Sequence, residues 1–313
     1  MGRFAFLQIL FVTSVALAAQ QPAESVPPSE AAADSAPLPA MSALLLDVER
    51  NASAAESARK DYTYRIHIEQ QDLDGKGDLK KSTVIDSDSL TIDGVRVDRV
   101  TARNGKPLTP EEAKKESERI DKEVAKDKER RAKLQGQGKP TDSRGDEIIT
   151  AARILELGSF SNPRRVTMNG RPTIVADYAG DPKAKTRNAA ENAIRDLVGT
   201  VWIDERDHAL ARSEGHFLND YKIGGGLIVD IRKGSSFQAQ FTKINGEVWL
   251  PARIDADGKI RVLLFGGFNG KVHLVASDFR KFRSTSTIVG SSDALGPDGQ
   301  PAADPANPTP QPK

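Results

Sequence analysis

INGEVWLPARIDADGKIRVLLFGGFNGKVHLVASDF, residues Ile244 to Phe279, decides the fold. Asn245-Gly246, Asp257-Gly258 and Asn269-Gly270 fall at intervals of about a dozen residues, and apolar and polar side chains alternate between them. That pattern predicts an antiparallel meander with a turn at each dipeptide.

Register follows from the faces. A two-residue turn at Asn245-Gly246 sets Phe241 opposite Leu250, Ala239 opposite Ala252 and Phe237 opposite Ile254. The same loop at Asp257-Gly258 would mix faces. A three-residue loop with glycine at the bulge position instead pairs Ile254 with Ile260, Ala252 with Val262 and Leu250 with Leu264. Repeated at Asn269-Gly270, it pairs Leu264 with Leu274 and Val262 with Ala276. A slip of one residue would flip every side chain, so agreement across three turns predicts one continuous apolar face. Its candidate ligand-binding side chains are Phe237, Phe241, Leu250, Ile254, Val262, Leu264 and Leu274. In this register Trp249, Leu263, Phe265 and Val275 make the other face partly apolar too, beside Gln238, Gln240, Thr242 and Arg253. Either helices cover such a sheet or a ligand does.

Upstream, Met41 to Lys60 carries a helical stripe of Leu44, Leu45, Val48, Ala52 and Ala55. Strand-like runs follow from Tyr62, punctuated by Asp93-Gly94 and Asn104-Gly105. Residues Leu108 to Leu134 are of another kind. Thr109, Pro110 and Glu112 make a helix start, and the rest of the segment is nearly all charged, with Glu111/Lys115, Glu118/Lys122 and Arg119/Glu123 four apart. Its thin stripe of Ala113, Ile120 and Val124 predicts a solvated arm or a mobile docking arm. Short helices are expected over Asp146 to Leu157 and Asn188 to Leu197, with strands over Val166 to Met168, Pro172 to Tyr178, Thr200 to Asp204, Ala209 to Leu218 and Leu227 to Lys233.

The ends set the compartment. Met1-Gly2-Arg3, the apolar run Phe4 to Leu17 and the small residues near Ala18 read as a secretory signal peptide over 1–19. A flexible linker over 20–39 and a Pro-rich tail over 291–313 flank one domain, 40–290, in which 108–134 is the charged arm. Without a cysteine, the chain has no disulfide, no thiolate metal site and no cysteine for a lipid anchor. With 45 basic against 44 acidic residues, scattered rather than clustered, nucleic acid is excluded as a partner. The sequence predicts a soluble periplasmic monomer.

Enzyme chemistry finds no constellation. His67, His208, His216 and His273 are scattered; Glu214 and His216 share a strand face without a third ligand. Asp204-Glu205-Arg206-Asp207 occupies a turn, where its carboxylates read as solvated. Gly224-Gly225-Gly226 precedes a strand rather than a helix, and Ser235 and Ser236 lie in no nucleophile elbow. The expectation is a protein with no catalysis, no metal and no cofactor.

The phrases GTVWIDERDHALARSEGHF, VDIRKGSSFQAQFTKINGEVWLPARID and DFRKF, in an order of signal peptide, helix, strands, short helices and strands, resemble the outer-membrane lipoprotein-sorting (LolA-like) superfamily over Met41 to Arg283. The resemblance implies an α+β fold with a strongly curved antiparallel sheet, an unclosed β-barrel, wrapped around a few helices. It also implies a cavity for the acyl chains of a lipid or lipoprotein and a membrane-bound acceptor. The charged arm departs from that pattern, and no functional residue is carried over. An alternative is a cell-envelope interaction or sensor protein with a filled core and the arm as its partner site.

Overall fold

Every second residue of Tyr62–Leu73 (β1) is buried as far as Ile68, and that period of two sets the architecture. The computed structural model describes residues 36–139, 141–142, 146–223, 229–262 and 266–282, with 189, 221–223, 229–230, 260–262 and 266–268 known by backbone alone. The expected signal peptide, most of the linker and the tail lie outside them. The described residues belong to a compact unit that closes at Phe282.

Helix α1 (Met41–Lys60) leads into β1, β2 (Leu79–Ile92), β3 (Val95–Arg103) and the two-residue β4 (Lys106–Pro107). Then come α2 (Pro110–Gly136), α3 (Ala151–Leu157), β5 (Gly158–Met168), β6 (Arg171–Gly180), α4 (Ala189–Arg195), β7 (Leu197–Asp204) and β8 (Ala209–Phe217). Short β9 (Tyr221–Ile223) and β10 (Val229–Ile231) precede β11 (Ser236–Ile244), β12 (Val248–Val262) and β13 (Gly266–Lys281). The fold is thus α+β: one antiparallel sheet in the order β4-β3-β2-β1-β13-β12-β11-β8-β7-β6-β5, with β9 and β10 paired beside β12. Its end strands, β4 and β5, do not meet, so it is unclosed.

Helix α1 spans the expected residues. α3 starts at Ala151 rather than Asp146, where the Thr150 hydroxyl accepts the Arg153 N–H, while Glu147 is held by a bridge to Thr141. α4 falls within the expected Asn188 to Leu197 but is shorter, Ala189–Arg195: the Asn188 side chain accepts the Glu191 N–H at its start, and Leu197 already opens β7. Asp93-Gly94, Asn104-Gly105 and Asn169-Gly170 are true two-residue turns, with both members at positive φ and strand pairing on either side.

The stretch from Ile244 to Phe279 is built differently from expectation. At Asn245-Gly246 the turn takes in Glu247 as well, since Ile244 pairs with Val248, and a bulge follows at Ala252. The two changes add up to two residues. Beyond the bulge, Phe237 therefore faces Ala256 and Ala239 faces Ile254; between turn and bulge the shift is one, so Phe241 faces Pro251 and Leu250 faces Thr242. Asp257-Gly258 and Asn269-Gly270 are not turns at all: β12 and β13 run straight through them, and Gly258 lies opposite Gly270. Ile254 accordingly pairs with Leu274, not Ile260, and Val262 with Gly266, not Ala276. These glycines serve close approach, at φ 143° and 152°; a Cβ at Gly258 would strike Ser235, and one at Gly270 the Gln71 carbonyl.

Two helices cover one face. Leu44, Leu45 and Val48 of α1 and Ala151 of α3 pack on Ile174 and Ile203, and Ala58 near the end of α1 reaches a larger apolar cluster built from β1, β2, β11, β12 and β13. α2 lies on the opposite face. Its Ile120 and Val124 pack on Val95 and Val97, whereas Arg96 between them points to the α1 side, donating to Tyr64 Oη at 3.1 Å and to the Arg59 carbonyl. The charged helix is therefore packed on β3 along one narrow stripe, Glu116, Ile120, Val124 and Asp127, while most of its other residues face solvent, as expected. Beyond its two-residue pairing with β4, β3 is an edge strand, and α2 occupies that edge: the Val100 N–H donates to Glu116 at 2.8 Å and Arg119 donates to the Asp98 carbonyl at 2.7 Å. Two edge groups open to pairing with another chain are satisfied within the fold.

Candidate functional site

Of the seven side chains expected to line an acyl-chain cavity, Phe237, Phe241, Leu250, Ile254 and Leu274 are brought together in the larger apolar cluster, each 0–7 % exposed. Val262 is described by its backbone alone, paired with Val229 and Gly266, and Leu264 lies outside the described residues, as do Leu263 and Phe265 of the expected second apolar face. Tyr62, Tyr64, Ile66, Ile68, Ile85, Val272 and Ala276 complete the cluster with smaller neighbours.

Among the described residues, a concavity lies on the opposite face. A groove of about 910 Å³ crosses eight strands from β1 to β5, a volume in the usual range for a ligand site. Its geometry follows from register. One wall is a row of directly paired residues: Glu69, His273, Asp255, Gln238, Glu214, Thr200, Asp177 and Ser161. The other wall is the row two positions along: Gln71, Lys271, Asp257, Ser236, His216, Val198 and Ala179. The row between them, Val272, Ala256, Phe237, Gly215, Gly199 and Tyr178, also lines the groove and forms its floor, and its Val272, Ala256 and Phe237 belong to the apolar cluster of the other face. Gly199 faces Gly215, and a Cβ on Gly199 would overlap the Glu214 carbonyl, so the two backbones come closer there than side chains allow.

A third row flanks the first on its other side: His67, Val275, Arg253, Gln240, Arg212, Trp202, Val175 and Arg164. Charge is sorted between the two. Arg253 donates to Asp255 at 2.8 Å, Arg212 to Glu214 at 2.8 Å, and Arg164 lies 3.5 Å from Asp177. His67 bonds Asp86 at 2.7 Å and Glu69 at 3.4 Å. A basic row thus backs an acidic row, and the acidic row borders the groove. Arg212 also stacks on Trp202, 4.7 Å from the ring centre, which fixes its plane.

The environment tunes these groups. Burial works to raise the Asp255 pKa, but hydrogen bonds from Arg253 and His273 outweigh it and hold the carboxyl below its usual value. The Asn162 amide, with Thr200 and Arg164, does the same for Asp177. The hydrogen bond to Asp86 raises the His67 pKa. These carboxylates stay ionised and are hydrogen-bond acceptors, suited to binding.

The turn Glu205 to His208 is not the solvated loop its sequence suggests. Asp204 is buried and paired with Arg171, and Asp207 receives Arg171 at 2.7 Å, Lys243 at 3.0 Å and the Trp249 indole N–H at 2.8 Å. Asn51 of α1 donates to the Asp207 carbonyl at 3.0 Å. This node ties the β7–β8 turn to the helix and to β11 and β12, a structural role. Trp249, expected on an open face, is held there. His216 is exposed beside Glu214, and among the described residues no group of three or more His, Cys, Asp or Glu is placed to hold a metal.

Sequence reasoning missed the sorted rows. Their signal was present as Arg212-x-Glu214, Arg253-x-Asp255 and His67-x-Glu69, each an i, i+2 pair on one strand face.

No family model matches the chain, and no curated protein does. Among solved structures it is similar to an outer membrane lipoprotein-sorting protein domain from Vibrio parahaemolyticus, at 10% identity and a TM-score of 0.29 over 80% of this chain and 95% of that one. It is also similar to a DUF1329 family protein from Desulfovibrio piger, at 8% and 0.29 over 81% and 94%. A third is MucB in complex with MucA(peri), at 9% and 0.21 over 78% and 99%. The first bears the name of the family that the sequence phrases resemble. At such identities and scores none of them assigns a role to a residue here.

Proposed function

We propose that the chain is an exported binding protein of the cell envelope, without chemistry of its own, that receives a polar ligand or partner segment in the groove across its charged face. The observation that carries this reading is the placement of the concavity. The groove is walled by accessible carboxylates, amides and histidines, whereas five of the seven side chains expected to hold acyl chains, Phe237, Phe241, Leu250, Ile254 and Leu274, are buried in the apolar cluster. No helix among the described residues is long and apolar enough to cross a membrane. Export rests on the amino-terminal sequence, and a monomer delivering to a membrane-bound acceptor belongs to the same proposal.

An acyl-chain carrier is the second reading, and Phe237 favours it: the residue belongs to both the groove lining and the apolar cluster. A fatty tail would enter there, with the sheet curling to make room. Native mass spectrometry of gently purified protein separates the two. The groove reading expects a bound mass that is lost in Ser236→Trp, whose indole would fill the groove, at unchanged Tm. A bound phospholipid or fatty acid that survives this substitution would transfer the function to the apolar side.

A further inference from the structure

Along the acidic wall of the groove the carboxylates are periodic. Asp177 stands on β6, Glu214 on β8, Asp255 on β12 and Glu69 on β1, and in the order of the sheet these are every second strand. The strands between supply Thr200, Gln238 and His273. At about 4.8 Å between neighbouring strands, the carboxylates recur roughly every 9.5 Å along the groove. Their side chains are 37–48 % exposed. Each leans on an arginine or histidine of the basic row; Asp255 is also bonded to His273, and Asp177 also accepts from Asn162 and Thr200, and a carboxylate with about four acceptor positions keeps room for a further donor.

A polyproline-II segment rises about 3.1 Å per residue with three residues per turn, so every third side chain recurs at roughly 9.3 Å on one side. The two repeats agree within the scatter of strand spacing. Taking the groove as the binding site proposed for this protein, we infer that its occupant is an extended, proline-rich segment of a partner protein with a basic residue at every third position. Its cations meet Asp177, Glu214, Asp255 and Glu69 in turn. Thr200 and Gln238 between them offer hydrogen bonds to its backbone, which in this conformation has no internal partners. The chain's own proline-rich end does not fit: residues 283–313 carry Asp293, Asp298 and Asp304 against Arg283 and Lys313. The partner binds in trans.

Fluorescence anisotropy of the full chain with a labelled peptide of four Lys-Pro-Pro repeats tests this. Saturable binding is expected, weakened at least tenfold by Glu214→Gln combined with Asp255→Asn and by raising salt, and at least tenfold weaker for four Lys-Pro repeats, whose cations recur too closely. Both substitutions are isosteric at half-exposed positions, and an unchanged Tm excludes misfolding. Equal affinity of the double variant, or no saturable binding of Lys-Pro-Pro, overturns the inference. Equal binding of Gln-Pro-Pro repeats, abolished by Ser236→Trp, overturns the cationic assignment while leaving the groove as the site. Binding that emerges only after removal of residues 283–313 identifies the tail as the occupant and overturns a partner in trans.

Discussion

The two faces of the sheet are made from the same strands and differ in every respect that matters for binding. On β12, Ile254 and Ala256 point into the core, while Arg253, Asp255 and Asp257 border the groove. On β1, Ile66 and Ile68 face the core, and His67 and Glu69 join the charged rows. One face has removed its apolar area from water, and what it contributes is stability. The other, away from the buried Val95, Val97, Val175 and Trp202, spends its side chains on pairs that remain partly exposed. Surface ion pairs contribute little to folding, so a charged array eight strands wide is not explained by stability. The comparison sets an apolar face whose burial supplies stability beside a charged face that is the candidate for function.

The largest test of that division is a pair of substitutions on one strand. Leu250→Ala, at a fully buried side chain, is expected to lower stability by about 4 kcal/mol, transfer and cavity costs together. Arg253→Ala on the same strand should change it by less than about 1 kcal/mol. Urea denaturation measures both, and comparable losses would erase the distinction between the faces.

Asp204→Asn comes next, because it removes the buried charge of the Arg171 node and leaves the guanidinium to Asp207. A loss of about 3 kcal/mol is expected; a loss near zero would return the β7–β8 turn to the solvated role its sequence suggests.

Ile120→Ala tests whether α2 is docked. The side chain is 1 % exposed against Val95 and Val97, and its truncation is expected to cost about 2 kcal/mol. Amide exchange of α2 should rise with it. An effect under about 0.5 kcal/mol, the range of surface changes, would mean that the helix stands away from β3.

The smallest expected effect is a pH dependence on the charged face. The folded-state pKa of His67 is raised, chiefly by its hydrogen bond to Asp86, with Glu69 adding to it. Its contribution is therefore complete below the unfolded value near 6.5 and is lost as pH rises through the higher folded value. His67→Gln should thus be more costly at pH 5.5 than at pH 8.5. The difference should stay below about 1 kcal/mol, since solvent screens a half-exposed pair. A cost that is the same at both pH values would detach His67 from the acidic partners.

How much was legible depended on the range of the forces involved. The stripe of Leu44, Leu45 and Val48, the capping box of Thr109 and Glu112, and the turns at Asp93-Gly94, Asn104-Gly105 and Asn169-Gly170 are fixed by neighbours within four residues, and all were readable. Gly258 and Gly270 misled because glycine answers two needs. It permits a turn, and it also permits two backbones to meet, as at Ser235 and Gln71, which lie far away in sequence. The register of β11 on β12 was read one residue off before the bulge and two beyond it, because neither the third loop residue nor the bulge at Ala252 leaves a local mark.

The sequence by itself determined α1, the capped start of α2, the two-residue turns, the alternation of faces and the Arg-x-Glu, Arg-x-Asp and His-x-Glu pairs, because backbone preference and side-chain period act over a few residues. Only the tertiary structure decided that these pairs align into one acidic and one basic row across eight strands, that a groove runs beside them, and that the charged helix covers an edge. Register between strands tens to hundreds of residues apart is set by the packing of the whole apolar face, and no short stretch contains that information.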